Sequence, residues 1–155
     1  MATVVADTSP LIALDQLGQL SLLQRIFGEI HVPPAVAREL IPGMAELPSW
    51  IVVRPLAHPI ASEILRASLG AGESEALSLM LEARAELVIV DDRPARRLAL
   101  NLGLPVVGTA GILLRAKRLG IIPEVRPLVD EIIRRGFRLS PAIREKVLVD
   151  AGESA

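Results

Sequence analysis

The chain has 155 residues, 51% of them hydrophobic, enough for one domain with a sizeable core. It has no cysteine and only two histidines, His31 and His58, which excludes disulfide frameworks, thiolate zinc centres and cysteine nucleophiles and leaves oxygen as the main ligand of any metal. The formal net charge of −1 conceals an asymmetry: residues 1–92 hold 5 Arg and 12 Asp or Glu (−7), whereas residues 93–155 hold 12 Lys or Arg and 6 acids (+6). An acidic centre beside a basic surface would suit a metal next to a polyanion, but scattered solvated helix faces give the same tally, and charge alone favours that plainer account. The N-terminus has no basic region followed by an apolar stretch, so a cytoplasmic protein is the expectation. The longest uncharged run, Leu98 to Leu114, is shorter than the ~20 residues of a membrane-spanning helix and is interrupted by glycine and proline, so no membrane association is expected.

Thr3 to Ala6 is a β-branched apolar run that predicts a first strand, with Asp7 at its carboxyl end and a helix from near Pro10. A helix over Leu20 to Phe27 leads to a strand at Glu29 to Val32, and Pro33-Pro34 opens a helix through Leu40 that contains Glu39. Trp50 to Val53 reads as a short peripheral strand and Ile60 to Leu69 as a helix broken by Gly70-Ala71-Gly72. Glu73 to Ala85 has helical spacing of its apolar residues and precedes a strand at Leu87 to Val90. Asp91-Asp92-Arg93-Pro94 starts a helix to Asn101, Pro105 to Val107 forms a strand, and Thr109 caps a helix from Ala110 to Leu119. Helices over about 123–135 and 141–150 close the chain, the second capped by Ser140.

Short, nearly continuous apolar strands alternating with helices imply a mostly parallel sheet buried on both faces, a three-layer α/β/α sandwich. Such sheets bind ligands outside the carboxyl ends of their strands. Asp7, Asp91, Asp92 and Thr109 all fall at those ends.

Each acid has a structural alternative: Asp7, Asp91 or Asp92 can cap a following helix, and Glu73 and Glu75 favour a helix N-terminus. What weighs against coincidence is that separate segments bring carboxylates to one sheet edge, where like charges repel unless a cation neutralises them. Mg²⁺ or Mn²⁺ fits a site of a few carboxylates that keeps waters for substrate phosphates, and hydrolysis of nucleic acid is the chemistry that follows.

The string Val-Val-Ala-Asp7-Thr8-Ser9-Pro resembles the opening of PIN-domain nucleases, where a strand delivers a catalytic Asp. Pro-Pro-Ala-Val-Ala-Arg-Glu39-Leu resembles the segment of their second acid, Gly72-Glu-Ser-Glu75-Ala-Leu that of the third, and Val-Ile-Val-Asp91-Asp92-Arg-Pro that of the fourth. The likeness spans about residues 3–120, with further helices over 121–150 in the same single domain of residues 1–155. It implies a PIN-like sandwich and a Mg²⁺- or Mn²⁺-dependent endoribonuclease. Asp7, Glu39, Glu75 and Asp92 would be the metal-binding acids, Asp7, Glu75 and Asp92 foremost, with Asp91 as an alternate, catalytic along with them, and Thr8, Ser9 and Thr109 in support. The chain departs from VapC-type toxins in having Glu75 where Asp is usual, Val90-Asp91-Asp92 in place of Thr-x-Asp, and no aromatic residue after it. The resemblance also implies the toxin of a toxin–antitoxin pair with a small antitoxin partner, and a homodimer. A non-catalytic PIN-like module binding nucleic acid or protein is the alternative.

Arg93, Arg96 and Arg97 would contact phosphate, while Arg115, Lys117 and Arg118, at a helix C-terminus, suit its carbonyl end equally well. With no tyrosine, and with Trp50, Phe27 and Phe137 scattered, no stacking platform for bases is expected, and His31 and His58 read as structural or surface residues. Other sheet-edge chemistries fit poorly. A phosphoacceptor receiver has its acid pair early, a haloacid-dehalogenase-like phosphatase needs Asp at position 9, and a dinucleotide fold needs Gly-x-Gly-x-x-Gly after its first strand.

Overall fold

A computed structural model describes residues 3–44 and 46–153. Strands β1 (Val4–Ala6), β2 (Ile30–Val32), β3 (Ile51–Val53), β4 (Leu87–Ile89) and β5 (Val106–Val107) form one parallel sheet in the order β3-β2-β1-β4-β5. Successive strand residues point to opposite faces, so the sheet feeds two apolar clusters. Val4, Ala6, Ile30 and Val32 pack on one face, and Val5, Val88 and Val90 on the other. Helices α1 (Thr8–Gln16), α2 (Ser21–Phe27) and α7 (Thr109–Arg118) supply Leu11, Leu14, Leu22, Leu23, Ile112 and Leu113 to the first cluster. Helices α5 (Ala71–Ala83) and α6 (Arg93–Asn101) supply Leu77, Met80, Ala95 and Ala99 to the second. The three-layer α/β/α sandwich is therefore observed. Helix α3 (Pro34–Leu40) packs between α1 and α5, and α4 (Ile60–Leu65) lies on α5. Helices α8 (Arg126–Arg134) and α9 (Pro141–Asp150) extend the first layer, with Val129, Val147 and Leu148 buried.

The differences from the expected elements have local or long-range causes. Helix α5 begins at Ala71, so Gly72 lies inside its first turn and is no breaker: extended Gly70 is the N-cap, and its carbonyl accepts the Ser74 N–H at 3.0 Å. Helix α4 stops at Leu65, because the Ala67 and Ser68 N–H groups turn back to carbonyls three residues earlier. Helix α8 starts at Arg126, three residues later than expected. The Val125 and Arg126 N–H groups there donate to the Glu153 carboxylate at 2.7 and 2.9 Å, a cap supplied from 27 residues away that no local pattern announces. Helix α9 has the expected cap, the Ser140 hydroxyl accepting the Ile143 N–H at 3.2 Å.

Candidate metal centre

Asp7 directly follows β1 as the N-cap of α1, and its N–H donates to Ile89 O of β4 at 2.9 Å, which anchors it to the neighbouring strand. The residue is 1% exposed, its side chain makes no capping hydrogen bond to α1, and Oδ2 has no hydrogen-bond partner. Burial pushes the carboxyl up to about 7 from an ordinary 3.8; the Thr8 amide works against this, and the Glu73, Glu39 and Asp91 carboxylates add to it. A buried oxygen without a partner costs about 1–3 kcal/mol, and more when charged. A proton or a cation is the remedy.

Glu39, exposed near the end of α3, faces the same space, and its Oε2 accepts the Thr8 hydroxyl at 2.6 Å. Gly72 defines where the two acids meet. The point a Cβ there would take lies 2.9 Å from Asp7 Oδ1 and 3.0 Å from each oxygen of Glu39. A side chain at this place would enter the space between the carboxylates.

Asp91 and Asp92 are bound into the fold. The register pairs Ile89 with Val107, and two residues further on each chain Asp91 stands beside Thr109. One Asp91 oxygen accepts the Thr109 N–H at 2.8 Å and the other its hydroxyl at 2.6 Å. Burial raises the Asp91 carboxyl; the Thr109 hydroxyl and amide and the Arg96 guanidinium oppose that rise. Thr109 is thus the first residue of α7, with Gly108 as N-cap, and its hydroxyl serves Asp91 instead of capping as expected. Asp92 is the N-cap of α6 and accepts the Ala95 N–H at 3.0 Å.

Glu75 is engaged by neighbouring helices. It accepts the Ala35 N–H at 2.9 Å, capping α3 from a neighbouring helix, and lies 3.4 Å from Arg66 and 3.9 Å from Arg38. The acid of α5 that acts on Asp7 is Glu73, which lines the same cleft as Asp91 and Asp92. Sequence reasoning gave Glu73 only a helix-start role. Helical spacing did not single it out: at about 100° per residue Glu75 lies nearer than Glu73 to the direction of Gly72, so the choice between them comes from tertiary packing.

Ser9 is exposed in the cleft wall, where its neighbour Thr8 is buried. Arg93 and Arg97 are exposed, but Arg96 is half-buried and donates to Val90 O at 3.2 Å. Of the second basic cluster, Arg115 lies 5.4 Å over the Phe27 ring and Lys117 donates to Ala151 O and Glu153. His31 is fixed between Glu29 and Arg54.

Among the described residues no three His, Cys, Asp or Glu side chains form a group that could hold a metal ion. The two carboxylates that share the space at Gly72 are Asp7, with its unpartnered Oδ2, and Glu39. Two hard carboxylates fit Mg²⁺ or Mn²⁺, which take one or two carboxylates and complete the shell with water and substrate phosphate. No described helix is long and apolar enough to cross a membrane.

No curated protein matches the chain. A family model described as a PIN domain matches residues 3–153. PIN domains are generally nucleases that use divalent metal ions. With that match over nearly its whole length, a parallel sheet of the expected form and acids at its carboxyl edge, the chain belongs to the PIN-domain family.

Proposed function

We propose that this protein is a metal-dependent endoribonuclease, hydrolysing RNA phosphodiester bonds with Mg²⁺ or Mn²⁺ held by Asp7 and Glu39. The observation that carries the reading is Asp7 itself: a buried carboxylate with an unpartnered oxygen, at the carboxyl edge of a parallel sheet, facing a second carboxylate. A bound ion would supply an activated water and offset charge on the phosphodiester. Thr8 orients Glu39 through its hydroxyl. Thr109 and Arg96 hold Asp91 beside the pair, and Glu73 adds negative charge there. Arg93 and Arg97 are free to meet phosphate.

Incubation of the pure protein with structured and unstructured RNA tests this. Cleavage with Mn²⁺ or Mg²⁺ is expected, lost in EDTA and in Asp7→Asn. Absence of cleavage by the wild type, or equal cleavage by Asp7→Asn, overturns it. A non-catalytic PIN-like binding module is the second reading, favoured by the hydrogen bonds that occupy Glu75, Asp91 and Asp92 and by the absence of a three-acid cluster among the described residues.

The resemblance to VapC-type toxins extends the proposal to a toxin with a small antitoxin partner, a cytoplasmic setting and a homodimer. An adjacent small reading frame whose product co-purifies with the chain supports the first. A monomeric mass by gel filtration at high concentration counts against the last.

A further inference from the structure

Of the three arginines of α6, Arg93 and Arg97 are exposed and Arg96 is half-buried, its Nη1 donating to Val90 O at 3.2 Å. Gly108 marks what stands beside it. The point a Cβ there would take lies 2.6 Å from Asp91 Oδ1 and 2.7 Å from Arg96 Nη1. Carboxylate and guanidinium do not close to the 4.0 Å of a direct ion pair, so that point lies between them and the bare glycine leaves the space open. Arg96 shares its cleft with the acids Glu73, Asp91 and Asp92, and the Glu73, Glu39 and Asp91 carboxylates all act on Asp7. A pair of divalent ions about 3.5–4 Å apart needs carboxylate oxygens enough to hold both. Here one Asp91 oxygen accepts the Thr109 N–H at 2.8 Å, the other accepts its hydroxyl at 2.6 Å, and Asp92 Oδ2 accepts the Ala95 N–H at 3.0 Å. Asp7 and Glu39 remain, donors for one ion.

We infer that Arg96 is a positioning residue, the resident cation that balances Asp91 from within the fold, and that the acid edge therefore takes one divalent ion and not two. A guanidinium keeps its charge and is weakly hydrated, which suits a half-buried station beside a carboxylate. Without it Asp91 would stand uncompensated among other acids, at a cost in stability, and would draw a cation from solvent. The Val90 carbonyl fixes the guanidinium at the end of β4, and Thr109 fixes the carboxylate at the start of α7, so neither partner depends on a metal for its place. The ion count rests on the metal-dependent reading above; the pairing of Arg96 with Asp91 does not.

Two measurements on the full chain test this, neither of them activity. In EDTA at pH 8, Arg96→Gln, which keeps a donor for Val90 O, is expected to lower the Tm by roughly 2–4 °C, and by less than half as much in an Asp91→Asn background. Mn²⁺ titration followed by electron paramagnetic resonance should count one ion per wild-type chain and two in Arg96→Gln. Arg96→Lys, which restores the charge, and Arg96→Gln/Asp91→Asn, which removes both charges, should each return to one. Additive Tm losses overturn the pairing; two ions in the wild type, or a single ion in Arg96→Gln, overturn the role in setting the count. If the wild type takes up no Mn²⁺ while the Tm losses are coupled, the metal-dependent reading fails and the pairing stands. If it binds one ion and the losses are additive, the reverse holds.

Discussion

Gly72 stands so close to Asp7 that a single methyl group on it would lie 2.9 Å from Oδ1, with both oxygens of Glu39 at 3.0 Å. Gly72→Ala therefore fills the space between the carboxylates without altering any charge. Alanine is the better helix residue by roughly 0.5–1 kcal/mol, so the fold should persist. Mn²⁺ affinity, measured by electron paramagnetic resonance, should fall at least tenfold, and RNA cleavage with it. Undiminished Mn²⁺ binding would remove Asp7 and Glu39 from the metal centre.

Asp7 should make the metal-free protein less stable as the pH rises. Its folded pKa of about 7 lies above the ordinary 3.8, so the folded state holds the proton more tightly than the unfolded one. Stability on this account is highest below about pH 4 and is lost as pH climbs through 7. Urea unfolding in EDTA should find Asp7→Asn more stable than wild type by roughly 2–4 kcal/mol at pH 8, and the two alike at pH 4. Adding Mn²⁺ at pH 8 should raise the wild-type Tm and leave that of the variant unmoved. A variant less stable than wild type at pH 8 in EDTA contradicts the assignment.

The Asp91 carboxylate depends on Thr109 for both of its donors. Thr109→Val removes the hydroxyl and leaves a buried acceptor short of a partner, a loss of about 1–3 kcal/mol in denaturant unfolding. Thr109→Ser should restore most of it, since the hydroxyl returns. Equal stability of the Val and Ser variants would show that the hydroxyl bond contributes nothing.

Glu153 binds the start of α8 to the end of α7. Its burial works to raise the carboxyl, but the Val125 amide, the Lys117 ammonium and the Arg126 amide overcome this and hold it down to about 2, below the ordinary 4.5. Stability from this group is therefore present in full above about pH 4.5 and lost as the pH falls toward 2. Glu153→Gln should cost roughly 1–3 kcal/mol at pH 7, and the gap from wild type should narrow at pH 2–3. A gap that persists unchanged to pH 2 would refute the charge-based account.

Much of the architecture was legible along the chain because each strand is buried on both faces, so Val4-Val5-Ala6 and Leu87-Val88-Ile89 read as uninterrupted apolar runs whatever packs on them. The same local logic places Asp7 and Asp91 at strand ends and makes Ser140 a cap, since this cap involves only a residue three positions away. The sequence alone therefore determined the sandwich and the edge on which the acids gather. Only the tertiary structure decided which acids face one another. Glu73 and Glu75 are two residues apart on one helix, and the packing of α5 against α3 sends Glu75 to the Ala35 amide while Glu73 stays beside Asp7. Gly72 as a gap between carboxylates, Thr109 as a donor to Asp91 and Phe137 in the cleft wall arise in the same way. Each is a contact between segments remote in the chain, fixed by the phase of a helix against its neighbour and not by the residues beside it.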